Sequence, residues 1–302
     1  MKNKSIKSGS DTLRKVGKGI LILRGVKRFN KKHHVARKLA LAAGTGIYLV
    51  APGAASRKTE APFIRKNFAH RGLHTRDRLV PENSMAAFEA AAAAGYGVEL
   101  DVQLSKDGQV VVFHDNNLKR VCGVDARVDE KTYEELHATS LCGTAETIPL
   151  FSEVLSCIRG RGPLIVELKT GKHNRELCIK TLRLLKDYKG DVCVESFNPR
   201  IVMWFRFHAP KIFRGQLSCP TKEFEPKDAK KPTSIFLGNC LMNFMGRPQF
   251  IAYKIGRKPF TVKLSARLGA MRFAWTSHEW VDEKKNDAVI FEFYKPGTEF
   301  KK

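Results

Sequence analysis

From Asn67 onward, short apolar strands alternate with helical stretches, and that rhythm limits the possible fold more than any single residue does. Strands are expected over residues 67–70, 97–102, 109–114, 163–168, 191–197, 212–217, 249–253, 271–276 and 288–293. Between them lie helical spacings such as 84–94, capped by Asn83 or Ser84 and stopped by Gly95, and 199–208, opened by Pro199. Strands separated by helices are βα units, which build a parallel sheet. About eight units over roughly 235 residues predict a closed TIM (β/α)8 barrel over 67–302 rather than an open doubly wound sheet. The Gly-rich turn of a dinucleotide fold is absent. Two segments break the rhythm. Residues 116–149 read as an insertion over the barrel mouth, and 218–246 as an elaborated βα loop.

Ionisable residues collect at the ends of these strands. His70 ends the first. Glu99 and Asp101, two apart on the second, project from one face. His114 ends the next, and Glu167 and Lys169 repeat the two-residue spacing on the fourth. Barrel active sites are built at the C-terminal ends of strands. Buried carboxylates there are costly unless paired or bound to a metal, and three converging acids suit an oxygen-preferring cation such as Mg²⁺ or Ca²⁺. Each residue alone has an ordinary structural reading as a strand cap, a surface ion pair or a core histidine. Their joint occurrence in unbroken order favours a site.

The series His70-Arg71-Gly72, Pro81-Glu82-Asn83-Ser84, Glu99-Leu100-Asp101-Val102, Lys106-Asp107-Gly108, Val112-Phe113-His114-Asp115 and Glu167-Leu168-Lys169 resembles the signature of the glycerophosphodiester phosphodiesterase family. Glu195-Ser196-Phe197-Asn198-Pro199, Gly215-Gln216-Leu217, Ala274-Trp275-Thr276 and Ile290-Phe291-Glu292 are similar to later family elements. The resemblance covers about residues 67–302, most strongly to Gly171. It implies a TIM barrel with a small insertion after the second histidine. It implies metal ligation by Glu99, Asp101 and Glu167, and acid–base catalysis by His70 and His114. Arg71 and Lys169 would hold phosphate oxygens, Asn83 would support the first loop or the metal shell, and Gln216 and Trp275 would line the pocket. Glu195 departs from the pattern and has no assigned role.

The implied reaction is metal-dependent hydrolysis of a glycerophosphodiester to an alcohol and sn-glycerol 3-phosphate. The alternatives are phospholipase D-like cleavage of lysophospholipids or sphingolipids on the same barrel, and a catalytically silent anchored module that binds lipid. No nucleic-acid motif accompanies the charge, so no nucleic-acid partner is expected.

Residues 1–66 read as a basic arm, an apolar segment and a linker. The net charge is +24, and between Met1 and Lys38 thirteen Lys/Arg stand against Asp11 alone, leaving +12 there. Basic arms meet anionic membranes or nucleic acid. The uncharged run 39–56 is a borderline membrane anchor, interrupted by Gly44, Gly46, Pro52 and Gly53. An uncleaved signal-like segment and an interfacial helix are the other readings. A membrane-associated chain with a single N-terminal anchor follows. The charge asymmetry places the barrel outside, while unpaired cysteines argue for a reducing side. The seven cysteines form no CxxC pair, and the loop-placed Cys122 and Cys142 are candidates for one bridge.

Overall fold

The computed structural model describes residues 37–224 and 230–301. They fall into two units, one ending at Tyr48 and one beginning at Leu49. The first described element is helix α1, residues 37–50, whose residues 37–45 are all exposed. No helix among the described residues is long and apolar enough to cross a membrane. The basic arm before residue 37 lies outside the described residues.

The second unit follows the expected alternation. Its elements are α2 (Arg57–Glu60), β1 (Asn67–Ala69), α3 (Met85–Ala93), β2 (Gly97–Leu104), β3 (Val110–Val112), α4 (Lys119–Cys122), α5 (Tyr133–His137), α6 (Phe151–Ile158), β4 (Leu164–Leu168), α7 (Asn174–Asp187), β5 (Val192–Ser196), α8 (Pro199–His208), β6 (Phe213–Ser218), α9 (Lys231–Gly238), α10 (Asn243–Gly246), β7 (Phe250–Lys254), α11 (Phe260–Arg267), β8 (Met271–Ser277) and β9 (Ala288–Phe291). Eight strands are parallel in the order β1-β9-β8-β7-β6-β5-β4-β2, and β1 pairs with β2 to close the barrel. Local signals set the helix ends. Ser84 Oγ accepts from Ala87 N at the start of α3, and Gly95 follows its end at φ +76°. Asn198 caps α8, with Pro199 in its first turn.

One expected barrel strand is not in the barrel. β3 runs antiparallel to β2, pairing Val102 with Val112 and Leu104 with Val110. It is the return of a hairpin whose turn holds Gly108 at φ +76°. The stretch after it packs around a small apolar cluster of its own. Its short helices α4 and α5 enclose a core of Val111, Phe113, Leu118, Val121, Val128, Leu136, Leu141 and Ile148.

Alternation along each strand separates two cores. Val98, Leu100 and Val102 of β2 and Leu164, Val166 and Leu168 of β4 face the surrounding helices. Ile165, Cys193, Phe213, Phe250 and Phe273 face the barrel axis. Aromatic rings fill the N-terminal end of that interior. Phe250 lies 4.1 Å from Phe273 and 5.1 Å from Phe213, and Phe63 lies 5.3 Å from Phe213. Phe63 comes from the stretch read as linker, which closes this end of the barrel. Gly53 N bonds Pro248 O at 3.1 Å, and Gln249 Nε2 bonds Ala54 O at 2.9 Å. The packed floor leaves only the opposite, C-terminal end open for polar side chains.

Candidate active site at the C-terminal end of the barrel

The inward positions of β2 are Glu99, Asp101 and Gln103, all buried. Strand register carries that polar layer around the barrel: Asp101 is opposite Glu167 on β4, and Glu167 is opposite Glu195 on β5. Carboxylate oxygens of Glu99, Asp101 and Glu167 lie within 4.8 Å of one another. Burial pushes the Glu99 carboxyl well up, and the charges of Asp101 and Glu167 push it further. Burial also raises Glu167, against the pull of Lys169. Burial acts upward on Asp101 too, yet Lys169, His114, Arg71 and the Asn83 bond together hold it well below the usual carboxylate range. Three buried oxygen donors that repel one another at this spacing form a site a divalent cation fits, because its charge removes the repulsion.

Both cations expected to hold phosphate stand at this cluster. Lys169 Nζ lies 2.9 Å from Glu167 Oε1 and 3.3 Å from Asp101 Oδ1. Burial would lower its pKa, but these two carboxylates raise it, so it is a fixed positive charge. Arg71 Nη1 donates to Glu82 at 2.7 Å, its Nε lies 3.6 Å from Asp101, and its backbone N–H donates to Glu99 at 3.0 Å. Arg120 donates to Glu82 from the other side. Burial pushes Glu82 up, and Arg120 and Arg71 outweigh it, bringing the carboxyl down to about 2. Asn83 Nδ2 donates to Asp101 Oδ2 at 2.9 Å and so holds that acid.

The two histidines arrive by different routes. His70 follows β1, and its Nε2 lies 3.9 Å from Glu99 Oε2. Its Nδ1 is 2.8 Å from Glu292 Oε2. Glu292 is held below the usual range despite its burial, chiefly by the hydrogen bond from His70. An ionised carboxylate only accepts, so Nδ1 carries the proton and the Nε2 lone pair is free. Burial and then Arg71 lower the His70 pKa to about 4, against Glu292. His114 does not end a barrel strand. It sits past β3, where Gln103 Nε2 donates to Phe113 O at 2.7 Å and Asp115 O at 2.8 Å, and Phe113 N donates to Asp101 O at 3.0 Å. Those bonds tie the hairpin exit to the end of β2 and bring His114 close enough to act electrostatically on Asp101 and Glu167. Its Nδ1 lies 2.6 Å from Asp115, and its side chain is 31% exposed.

Trp275 lines the cleft beside His70. Gln216 Nε2 donates to the carbonyls of Ser196, Phe197 and Leu217 and ties strand ends together. Glu195 is fully buried at the same level as Glu167, and burial with the Glu167 and Asp101 charges pushes its carboxyl well up. Cys122 and Cys142 are not bridged; both are free thiols. Two residues with evident work here had no role from sequence. Gln103, which pins the His114 loop, lies two residues after Asp101 on the same face. Glu292, which orients His70, ends the last strand.

Comparison with known proteins follows this geometry. Residues 70–292 match the glycerophosphoryl diester phosphodiesterase family. A glycerophosphodiester phosphodiesterase of Bacillus altitudinis is 41% identical over 113 residues, 35% of this chain and 45% of that one. A lysophospholipase D of Rattus norvegicus is 34% identical over 153 residues, 46% of this chain and 47% of that one. The matched stretch thus spans about half the length of these relatives. A phosphodiesterase of Oleispira antarctica, solved with the product sn-glycerol-3-phosphate, superposes with a TM-score of 0.60 over 76% of this chain and 93% of that one, at 23% identity. That last likeness is one of fold.

Proposed function

The chain belongs to the glycerophosphoryl diester phosphodiesterase family, and from that premise we propose that it hydrolyses glycerophosphodiesters to an alcohol and sn-glycerol 3-phosphate. The observation that carries this reading is the convergence of Glu99, Asp101 and Glu167 within 4.8 Å, with Arg71 and Lys169 on the same acids. A divalent cation held by the three acids, Mg²⁺ or Ca²⁺, would supply Lewis-acid polarisation of a phosphoryl oxygen.

The chain's own residues do the remaining work. Arg71 and Lys169 balance the negative charge that grows on the non-bridging oxygens as the phosphorus is attacked. Arg71 suits this because its guanidinium offers several donors in a plane. His70, with its Nε2 lone pair free, and His114 form the acid–base pair: one delivers a proton to the departing alkoxide and the other takes one from the attacking oxygen. That oxygen belongs to water or to the substrate's own glycerol hydroxyl, whose proximity gives it high effective molarity. Asp115 holds His114 at Nδ1, which leaves its Nε2 for the proton transfer.

The test is release of glycerol 3-phosphate from glycerophosphoglycerol by the full chain with Mg²⁺ or Ca²⁺. Chelation should abolish it, and His114→Ala should lower kcat by about 100- to 10,000-fold. Metal-loaded protein that turns over no glycerophosphodiester would overturn the reading. The likeness to a lysophospholipase D keeps a second reading open, cleavage of lysophospholipids on the same barrel. Lysophosphatidylcholine assayed beside soluble glycerophosphocholine separates the two. The +12 arm and the exposed Leu39, Leu41, Ile47 and Tyr48 of α1 support placing the chain at an anionic membrane surface.

A further inference from the structure

Two clefts open beside the acid cluster. One, of about 380 Å³, borders Lys169 and mixes small polar groups such as Ser105, Asn116 and Asn174 with charges of both signs, Arg127 and Lys172 being paired with Asp129. The other, of about 510 Å³, borders His70 and carries four arginines: Arg71, Arg76, Arg78 and Arg120. Its two carboxylates are already engaged. Glu82 is held by Arg71 and Arg120, and Glu292 by His70, with His74 and His278 at 3.6 and 3.9 Å. Asp77, between the remaining two arginines, accepts from Thr75 and from Leu79 N. Arg76 and Arg78 therefore have no ion-pair partner among the described residues.

The aromatic groups of this cleft are also taken. A quaternary ammonium head group would need a free aromatic face. Arg76 already lies over the Phe293 ring at 5.0 Å, while His278 stacks on that ring and His74 meets it edge-on. Trp275 meets Phe197 edge-to-face and donates Nε1–H to Ala252 O. A positive cleft whose Phe293 ring already carries Arg76 repels choline and attracts negative charge.

Resting on the hydrolytic reading above, we infer that the cleft beside His70 receives the departing alcohol of the substrate, and that Arg76 and Arg78 select alcohols bearing a second anionic group such as a phosphate. The smaller cleft, with its hydroxyl-binding side chains, takes the constant glycerol arm. The larger one takes the arm that varies.

The test compares kcat/KM of the Mg²⁺-loaded full chain on glycerophosphocholine, glycerophosphoglycerol and glycerophosphoglycerol phosphate. Wild type, R76A/R78A and R76K/R78K are measured alike. Two exposed charge pairs correspond to a preference of about 10-fold. The ratio of phosphorylated to choline substrate should be of that size in wild type. It should fall toward one in R76A/R78A, through KM, and return in R76K/R78K. A ratio near one in wild type, or one that R76A/R78A leaves in place, overturns the assignment. So does inhibition by phosphatidylglycerol vesicles with no preference among the soluble compounds, which gives the arginines to a lipid surface. Calorimetric affinities for the same compounds in an H114A background read the cleft without turnover. If wild type hydrolyses none of them, the hydrolytic reading falls. Tighter binding of the phosphorylated compound, lost in R76A/R78A, then still upholds the cleft, and equal affinities remove it.

Discussion

His70 is poised by two neighbours pulling in opposite directions. Burial and Arg71 bring its pKa down to about 4, and Glu292 resists while accepting the Nδ1 proton. Glu292→Gln keeps the shape but removes the charge, and a carboxamide both donates and accepts, so the tautomer is no longer imposed. Loss of such an orienting partner costs about 10- to 100-fold, and the loss should fall on kcat with KM nearly unchanged. Nitrogen NMR of the imidazole should show the other tautomer appearing. A kcat loss with the Nδ1–H form intact would sink this role. The same shift makes a stability prediction. The ring binds a proton near 6.5 when unfolded and near 4 when folded, so the unfolded chain takes up the proton first as pH falls. The contribution is complete above about 6.5 and lost on the way down to about 4. His70→Asn should flatten the pH dependence of urea stability across that window.

At the level of elements, the floor of the barrel depends on a strand position that admits no side chain. A Cβ on Gly215 of β6 would lie 2.1 Å from the Phe250 ring. That ring is held by Phe213 at 5.1 Å and Phe273 at 4.1 Å and has nowhere to move. Gly215→Ala should cost about 1–3 kcal/mol, the usual price of overpacking, read as a lower urea midpoint at constant m value. Adding Phe250→Leu should recover part of the loss, and strictly additive costs would count against the clash. The alternation that puts Glu99 and Asp101 on one face of β2, and repeats with Glu167 and Lys169 at β4 and its exit, was legible in sequence. It was legible because a strand's period of two follows from local backbone geometry. β3 was misplaced because a buried Val110-Val111-Val112 reads alike in a barrel strand and in a hairpin arm. The Asp107-Gly108 pair before it was the turn signal that distinguishes them. Gln103 and Glu292 remained without roles because each acts through a contact far along the chain, with 10 residues from Gln103 to Phe113 and 222 from His70 to Glu292. Pattern along a strand carries no information about such partners.

For the whole molecule, the distribution of charge separates where the chain sits from what its barrel does. Half of the +24 lies between Met1 and Lys38, directly before a helix that exposes Leu39, Leu41, Ile47 and Tyr48. Each Lys or Arg close to an anionic leaflet contributes about 1 kcal/mol, decaying over the Debye length. Raising salt from about 0.1 to about 1 M shortens that length from about 10 to about 3 Å. The full chain should therefore co-sediment with vesicles containing phosphatidylglycerol at low salt, bind pure phosphatidylcholine weakly, and come off the anionic vesicles as salt rises. Any binding that survives high salt would come from the apolar side chains. Replacing Leu39, Leu41 and Ile47 with Ser should remove it while leaving low-salt binding largely in place. Equal binding to both lipids, or binding to anionic vesicles indifferent to salt, would falsify an electrostatic attachment and leave the arm without a role at the membrane.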